Sequence, residues 1–372
     1  MPLRAASSAV ATAEEAARSG KLLVLLLGGL RGGDTGGKDA FQALLSDLAR
    51  DCPAQIRERL IIAAAPVLNT DEEVAAAGRP GPEGGAHANA QPPDRDFVRL
   101  ETPEARALAR FLTAWNPAVV IEARATDGGR RRHPLAYAGL EHPAADPYLA
   151  AFARDSLLPA VAAALRAEKG IEAVRRGGAP REGAGRRALR PLSSRGTAYA
   201  GLRNSLAILT EASTRAPREL RARAVREFVR ATLAHAAERA DEIRRLIAAA
   251  DRAVIAAGRE PESGKRPIPL RARPAAAPAE GAREDRLEPE VAVERAYAYL
   301  LPAAYTSAAE ILMRHGIDVE ELREEEVELD VQAYTVTSVA REERRGPDRA
   351  AARVAAERRA VSRRVEDRKS VV

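Results

Sequence analysis

The densest apolar run in the chain is Leu22, Leu23, Val24, Leu25, Leu26 and Leu27, which stops at Gly28 and Gly29. A run of this length without polar breaks predicts a strand entering a turn. A helix follows over 38–50, with Phe41, Leu44, Leu45 and Leu48 on one face. Further apolar runs at 59–67, 118–123 and 205–211 predict strands, and 103–115, 146–168 and 217–250 read as helices. The helix at 103–115 is the best signalled: Thr102 caps it, Pro103 takes its first position, and Leu108, Phe111, Leu112 and Trp115 recur at helical spacing. Alternation of this kind predicts an α/β fold, a mixed and mostly parallel sheet flanked by helices.

From Gly258 to about Glu290 the chain turns to Pro, Arg, Glu and Ala without periodicity, the composition of a linker or a surface insertion. A small α+β unit is expected next: a strand at 296–301, a helix at 303–315 stopped by Gly316, and a strand in which Val327, Leu329, Val331 and Ala333 alternate. The expected organisation is a main domain over 1–257, a linker over 258–292, the small unit over 293–342 and a charged tail over 343–372, helical or disordered.

Length and charge add little. The 372 residues suffice for a full core with a smaller second unit. The net charge of +6 comes mainly from Arg in a chain also rich in Ala, Gly and Pro, the pattern of a GC-rich coding sequence. With only 3% aromatic residues, nothing interleaves stacking rings with the arginines, so no specific nucleic-acid partner is expected. No stretch approaches the roughly 18 apolar residues of a membrane span. The long apolar run lies past Lys21 and reads as a core strand rather than a signal peptide, and the sequence assigns no compartment. One cysteine, Cys52, excludes an internal disulfide and a thiolate metal cluster.

Candidate chemistry sits where the strands end, as in open α/β sheets generally. The blocks GGLRGGDTGGKDA, PVLNTDEE, GRPGPEGG, NAQPPDRDFVRLETPEARAL, VVIEARATDGG, LAYAGLEHPAADP and TAYAGLRNSLAILTEAS follow in order from Gly28 to Ser213. Their order and spacing resemble the carboxypeptidase A-like zinc metallopeptidases, in particular bacterial members with an extra C-terminal region. The resemblance runs from about Ala13 to Val254 and more weakly over 293–340. Against that family the amino terminus looks shortened, which would leave a sheet edge exposed. Members are often exported.

The resemblance implies a site with zinc on two histidines and a glutamate, a glutamate as general base, and arginines for the substrate's terminal carboxylate. Carried over by motif, the three ligand positions fall on Arg31, Asp34 and Arg124. The general-base position falls on Glu211, the Asn-Arg pair on Asp94 and Arg95, and the oxyanion arginine on His87. Only Arg95 and Glu211 keep the family's residue. No tyrosine lies between Leu149 and Ala198, so the family's substrate-capping tyrosine has no counterpart. A guanidinium has no lone pair for a metal and stays protonated, so zinc is expected to be lost as cofactor and the peptidase activity with it. Asp34 and Glu211 would then neutralise arginines in a buried ion network, and a basic cleft would remain for a peptide C-terminus or another carboxylate.

Other readings remain open. A working metallocarboxypeptidase, cutting C-terminal or cell-wall peptide bonds, would need an atypical metal site. His87, His133 and His142 lie on nearby loops, but no two have ligand spacing on one element. Gly32, Gly37 and Lys38 loosely match a P-loop, in which Asp39 would replace the magnesium-binding hydroxyl. The plainer role for Glu211 is a pair with an arginine such as Arg203, and for Arg95 a pair with Asp94 or Asp96.

Overall fold

The run Leu22–Leu27 becomes strand β1, and all of its side chains are buried. The computed structural model describes residues 10–31, 34–76, 93, 96–126, 133–139, 142–176, 196–259, 267–274, 287–322, 327–342, 351–365 and 369–371. They fall into two compact units, the first reaching Arg295 and the second starting at Ala296.

In the first unit helix α1 (Ala13–Arg18) precedes β1, and α2 (Thr35–Arg50), α3 (Ala54–Arg59), β2 (Leu60–Ala65) and α4 (Thr70–Ala76) follow it. Next come α5 (Pro103–Trp115), β3 (Val119–Thr126), β4 (Leu135–Ala138), α6 (Pro147–Ala151), a π-helical turn (Phe152–Leu157) and α7 (Leu158–Lys169). The unit continues through β5 (Ala173–Arg175), α8 (Gly196–Leu202), β6 (Leu206–Ser213), α9 (Arg218–Glu238), α10 (Ala240–Arg259), β7 (Ile268–Pro274) and β8 (Leu287–Val293).

The main sheet has the order β2-β1-β3-β6-β4-β5. Only the β4–β6 pairing is antiparallel. The mixed, mostly parallel sheet expected from the apolar runs is therefore present, with helices on both faces. On one face Val24, Leu26, Val119, Ile121 and Ile208 pack with Phe41, Leu44, Val161, Phe228 and Leu233. On the other, Leu23, Leu25, Val120 and Ala207 pack with Ala16, Leu108, Leu112, Phe97 and Tyr199. Strand side chains alternate between faces. Val120, Glu122 and Arg124 therefore form one row that leaves the second core and enters the site.

Three details differ from the sequence expectations. The helix expected over 217–250 is two helices, broken at Arg239 (φ −103°, ψ 22°). The Pro/Arg/Glu-rich stretch contains the antiparallel pair β7–β8. Residues 147–169 form one 23-residue helical run that is long and apolar enough to cross a membrane by length and composition, although no stretch was expected to come close. In this fold Leu149, Phe152, Leu157, Val161 and Leu165 on that run are buried in the core.

The second unit contains β9 (Leu300–Pro302), α11 (Thr306–Arg314), β10 (Glu320–Leu322), β11 (Val327–Glu342), β12 (Ala351–Val365) and β13 (Lys369–Val371). The strand expected at 296–301 begins only at Leu300. Strands β10, β13 and β9 make one small sheet, and β11 and β12 an antiparallel ribbon. The charged tail is thus extended over 351–365 rather than helical. Its Ala, Arg and Glu favour helix locally, but pairing along β11 supplies each residue with a cross-strand neighbour, and that context overrides propensity.

Candidate functional site

The loop after β1 is fastened to the end of β3 through Asp34. Its Oδ1 accepts from Gly36 N (3.0 Å), capping α2, and from Ala125 N (2.8 Å). Asp34 N in turn donates to the carbonyl of Arg31 (3.3 Å), so Arg31 enters the same turn. The approach depends on glycine: a Cβ on Gly36 would lie 2.9 Å from Ala125 N, and one on Gly37 2.7 Å from Ala123 O. Gly28 and Gly29 likewise lie against Pro66 and Val67, and Gly29 has φ +56°.

Beside this junction β3 and β6 pair in parallel, with Arg124 opposite Glu211. Arg124 Nε stands 3.3 Å from Glu211 Oε1, and Arg124 Nη1 3.8 Å from Glu122 Oε1. Arg176 comes just after β5, and its Nε stands 3.2 Å from Glu211 Oε2. Glu211 therefore lies between two guanidinium groups. Glu122 is held from its other side: Oε2 accepts from Thr197 N (3.2 Å) and Thr197 Oγ1 (3.0 Å) at the start of α8. Glu122 and Glu211 are both buried, a position that charged groups occupy only when paired.

Asp34 belongs to the same electrostatic neighbourhood. Its carboxyl is pushed up from the ordinary 3.8 to about 6, chiefly by burial. The Ala125 and Gly36 amides and the Arg124 charge oppose that shift, and Glu122 adds to it.

The fold thus brings Asp34, Arg124 and Glu211 to one place, with Arg31 in the adjoining turn. His87, Asp94 and Arg95 lie outside the described residues. Next to them, Asp96 is buried, and its Oδ2 accepts from Thr102 N (2.5 Å). Phe97 stacks on Tyr199 with centroids 5.5 Å apart, and Arg203 lies over the same Tyr199 ring at 5.9 Å. The ion pairs at Glu211 come from Arg124 and Arg176, where the sequence had offered Arg203. Glu122, Arg176 and Thr197 were not anticipated. Glu122 was within reach, since two residues along a strand from Arg124 means the same face. Arg176 follows a three-residue strand and had no such signal.

His133 and His142 are engaged elsewhere. His133 Nδ1 is 3.0 Å from Glu172 Oε2. His142 is buried, its Nδ1 accepts from Ala144 N (3.1 Å), and burial lowers its pKa. Among the described residues, no three or more His, Cys, Asp and Glu side chains are grouped to hold a metal ion. These residues do not fit zinc: guanidinium fills the space between Glu122 and Glu211, and it offers a metal no electron pair. Of the P-loop match, Gly32 lies outside the described residues. Gly36 N donates to Asp34, Gly36 and Gly37 lie on the β3 backbone, and Lys38 Nζ pairs with Glu73 at 2.6 Å.

No protein-family model matches the sequence, and no curated protein does. Among solved structures, a metallo-carboxypeptidase from Burkholderia cenocepacia is similar with a TM-score of 0.44 and 16% identity, over 58% of this chain and 57% of that one. A metallo-carboxypeptidase from Pseudomonas aeruginosa, in complex with (2-guanidinoethylmercapto)succinic acid, gives 0.43 and 19%, over 60% and 58%. The product-bound cell shape determinant protein Csd4 from Helicobacter pylori gives 0.42 and 17%, over 63% and 54%. The match spans between 54% and 58% of the length of these three proteins. At such scores the reading of the site rests on its own side chains.

Proposed function

We propose that this chain is a carboxypeptidase-like protein that has lost zinc binding and peptidase activity and keeps a cleft for a carboxylate, such as a peptide C-terminus. One observation supports the reading above the others: Arg124 lies between Glu122 and Glu211, with Arg176 completing the set. A positive charge tethered to β3 takes the place that a divalent cation would need. Without a metal to polarise water or the scissile carbonyl, Glu211 has no activated nucleophile to serve, and its carboxylate is committed to two guanidinium groups.

Arg124 and Arg176 balance Glu122 and Glu211, so that quartet has no excess positive charge. A ligand carboxylate would therefore draw on Arg95, the arginine that the motifs place at the substrate's terminal carboxylate.

Metal analysis of the purified protein, together with hydrolysis assays on peptides with free C-termini, tests the first half. We expect no stoichiometric zinc and no cleavage. Stoichiometric zinc with cleavage abolished by a chelator would instead establish the active, atypical metallocarboxypeptidase. Calorimetric titration with a peptide in free-acid and C-terminally amidated forms tests the second half, since only the free acid should bind.

A further inference from the structure

Strands β11 and β12 pair only with each other, from Val327↔Val365 to Glu342↔Ala351, in a ribbon about 50 Å long. A two-stranded ribbon is marginal in water unless another strand or layer covers it. Among the described residues, no other helix or strand packs along this one. Its two faces differ. On one, Leu329, Val331 and Ala333 are half-buried. On the other, Tyr334, Val336, Val339 and Val354 are 60, 57, 61 and 54% exposed. They occupy successive pairs on that face: Tyr334↔Arg358, Val336↔Ala356 and Val339↔Val354. The register shift between Val336 and Ser338 keeps Val336 and Val339 on the same side.

The two strands contribute unlike side chains to this face. Strand β11 presents Asp330, Gln332, Tyr334, Val336 and Val339, bulky or acidic. Opposite them β12 presents Ser362, Ala360, Arg358, Ala356 and Val354, mostly small and carrying the positive charge. We propose that the face is covered by the same face of a second copy of this chain, related by a two-fold axis along the strands. That axis lays β11 of one copy on β12 of the other. Near the centre Val336 then meets the second copy's Ala356, and Tyr334 meets its Arg358 guanidinium. Bulk meets space, and a ring meets a cation. The contact is isologous, so each complementary pair occurs twice. A ribbon face of about 50 by 10 Å covers about 1,000 Å² over both copies, the lower limit of a specific interface, so the dimer is reversible.

Sedimentation equilibrium of the full chain from about 1 to 100 µM tests this. The wild type should pass from monomer to dimer. Val336→Lys with Val339→Lys should stay monomeric with an unchanged circular dichroism spectrum, since both valines are exposed. Hydrogen exchange offers a readout that needs no variant: amides in 327–342 and 351–365 should exchange more slowly as wild-type concentration rises. A wild type monomeric throughout, a dimer indifferent to both lysines, or exchange independent of concentration would each overturn the proposal. Orientation is tested in a Cys52→Ser background by mixing chains carrying Val339→Cys with chains carrying Val354→Cys. Mild oxidation should join unlike chains, whereas each chain joining only to its own kind would exclude the axis along the strands.

Discussion

Arg124 and Glu211 are register partners across the parallel β3–β6 pair, with Nε 3.3 Å from Oε1 and side chains only 15% and 6% exposed. Neither would hold its charge there alone, because the desolvation of each is offset by the other. Glu211 also faces Arg176, so its carboxylate is shared between two cations, of which Arg124 also faces Glu122.

Removing that carboxylate should therefore be severe. Glu211→Gln keeps the size and leaves Arg124 and Arg176 without their shared counter-charge, and it should cost about 3 kcal/mol of stability in urea unfolding. The surface variant Arg50→Gln, which loses an exposed pair with Asp47, should cost less than about 1 kcal/mol. Equal, small effects from the two would mean that Glu211 is not the centre of a buried network.

Asp34 makes stability depend on pH. Its folded value of about 6 lies above the ordinary 3.8, so the folded state binds the proton more tightly than the unfolded chain. The associated stability is complete below about pH 4 and is lost as pH rises through about 6, where an ionised carboxylate must be kept in the fold. The loss is about 3 kcal/mol. Asp34→Asn keeps an oxygen acceptor for Gly36 and Ala125 and removes the titration. Unfolding free energies measured across this range should show the wild type falling relative to the variant; parallel curves would remove the raised value.

Glycine at the loop junction has a steric cause that can be tested. Gly36→Ala places a methyl 2.9 Å from the Ala125 nitrogen and the Arg124 carbonyl carbon, both backbone atoms. We expect a loss of about 2 kcal/mol, read as a lower urea midpoint, from separating the loop and β3. Gly170→Ala has open space instead, although its φ of +64° strains any side chain, so its cost should be nearer 1 kcal/mol, as for a C-cap.

Supplying ligand chemistry at these positions should create metal affinity. Arg31→His, Asp34→Glu and Arg124→His together replace two cations with imidazoles and lengthen the carboxylate by one methylene. Titration of the folded triple variant should show one zinc per chain, whereas the wild type should show none. A folded triple variant that ignores zinc would mean that the motif carry-over has misplaced these positions.

Much of the first unit could be read along the chain. Leu22–Leu27 and Leu60–Ala65, with the first residues of Val119–Thr126 and Leu206–Ser213, are apolar runs covered from both sides, so local composition alone marks them as strands. Thr102 and Pro103 mark the start of α5 in the same local way. The short strands β4 and β5 carry no such mark, and they bring Arg176 into the site. The extended tail was illegible for the opposite reason: Ala351–Val365 is a good local helix sequence that becomes a strand through its pairing with β11.

Residue order was enough to identify Arg31 and Arg124 as fixed cations at the ends of apolar runs, because side-chain chemistry belongs to each residue alone. Which carboxylate answers which cation was decided only by folding. Arg124, Glu122, Glu211 and Arg176 meet because parallel register aligns β3 with β6, antiparallel β4 follows, and β5 then delivers Arg176 to the far side of Glu211. Ion pairing acts through distance in space, and no spacing along the chain encodes it.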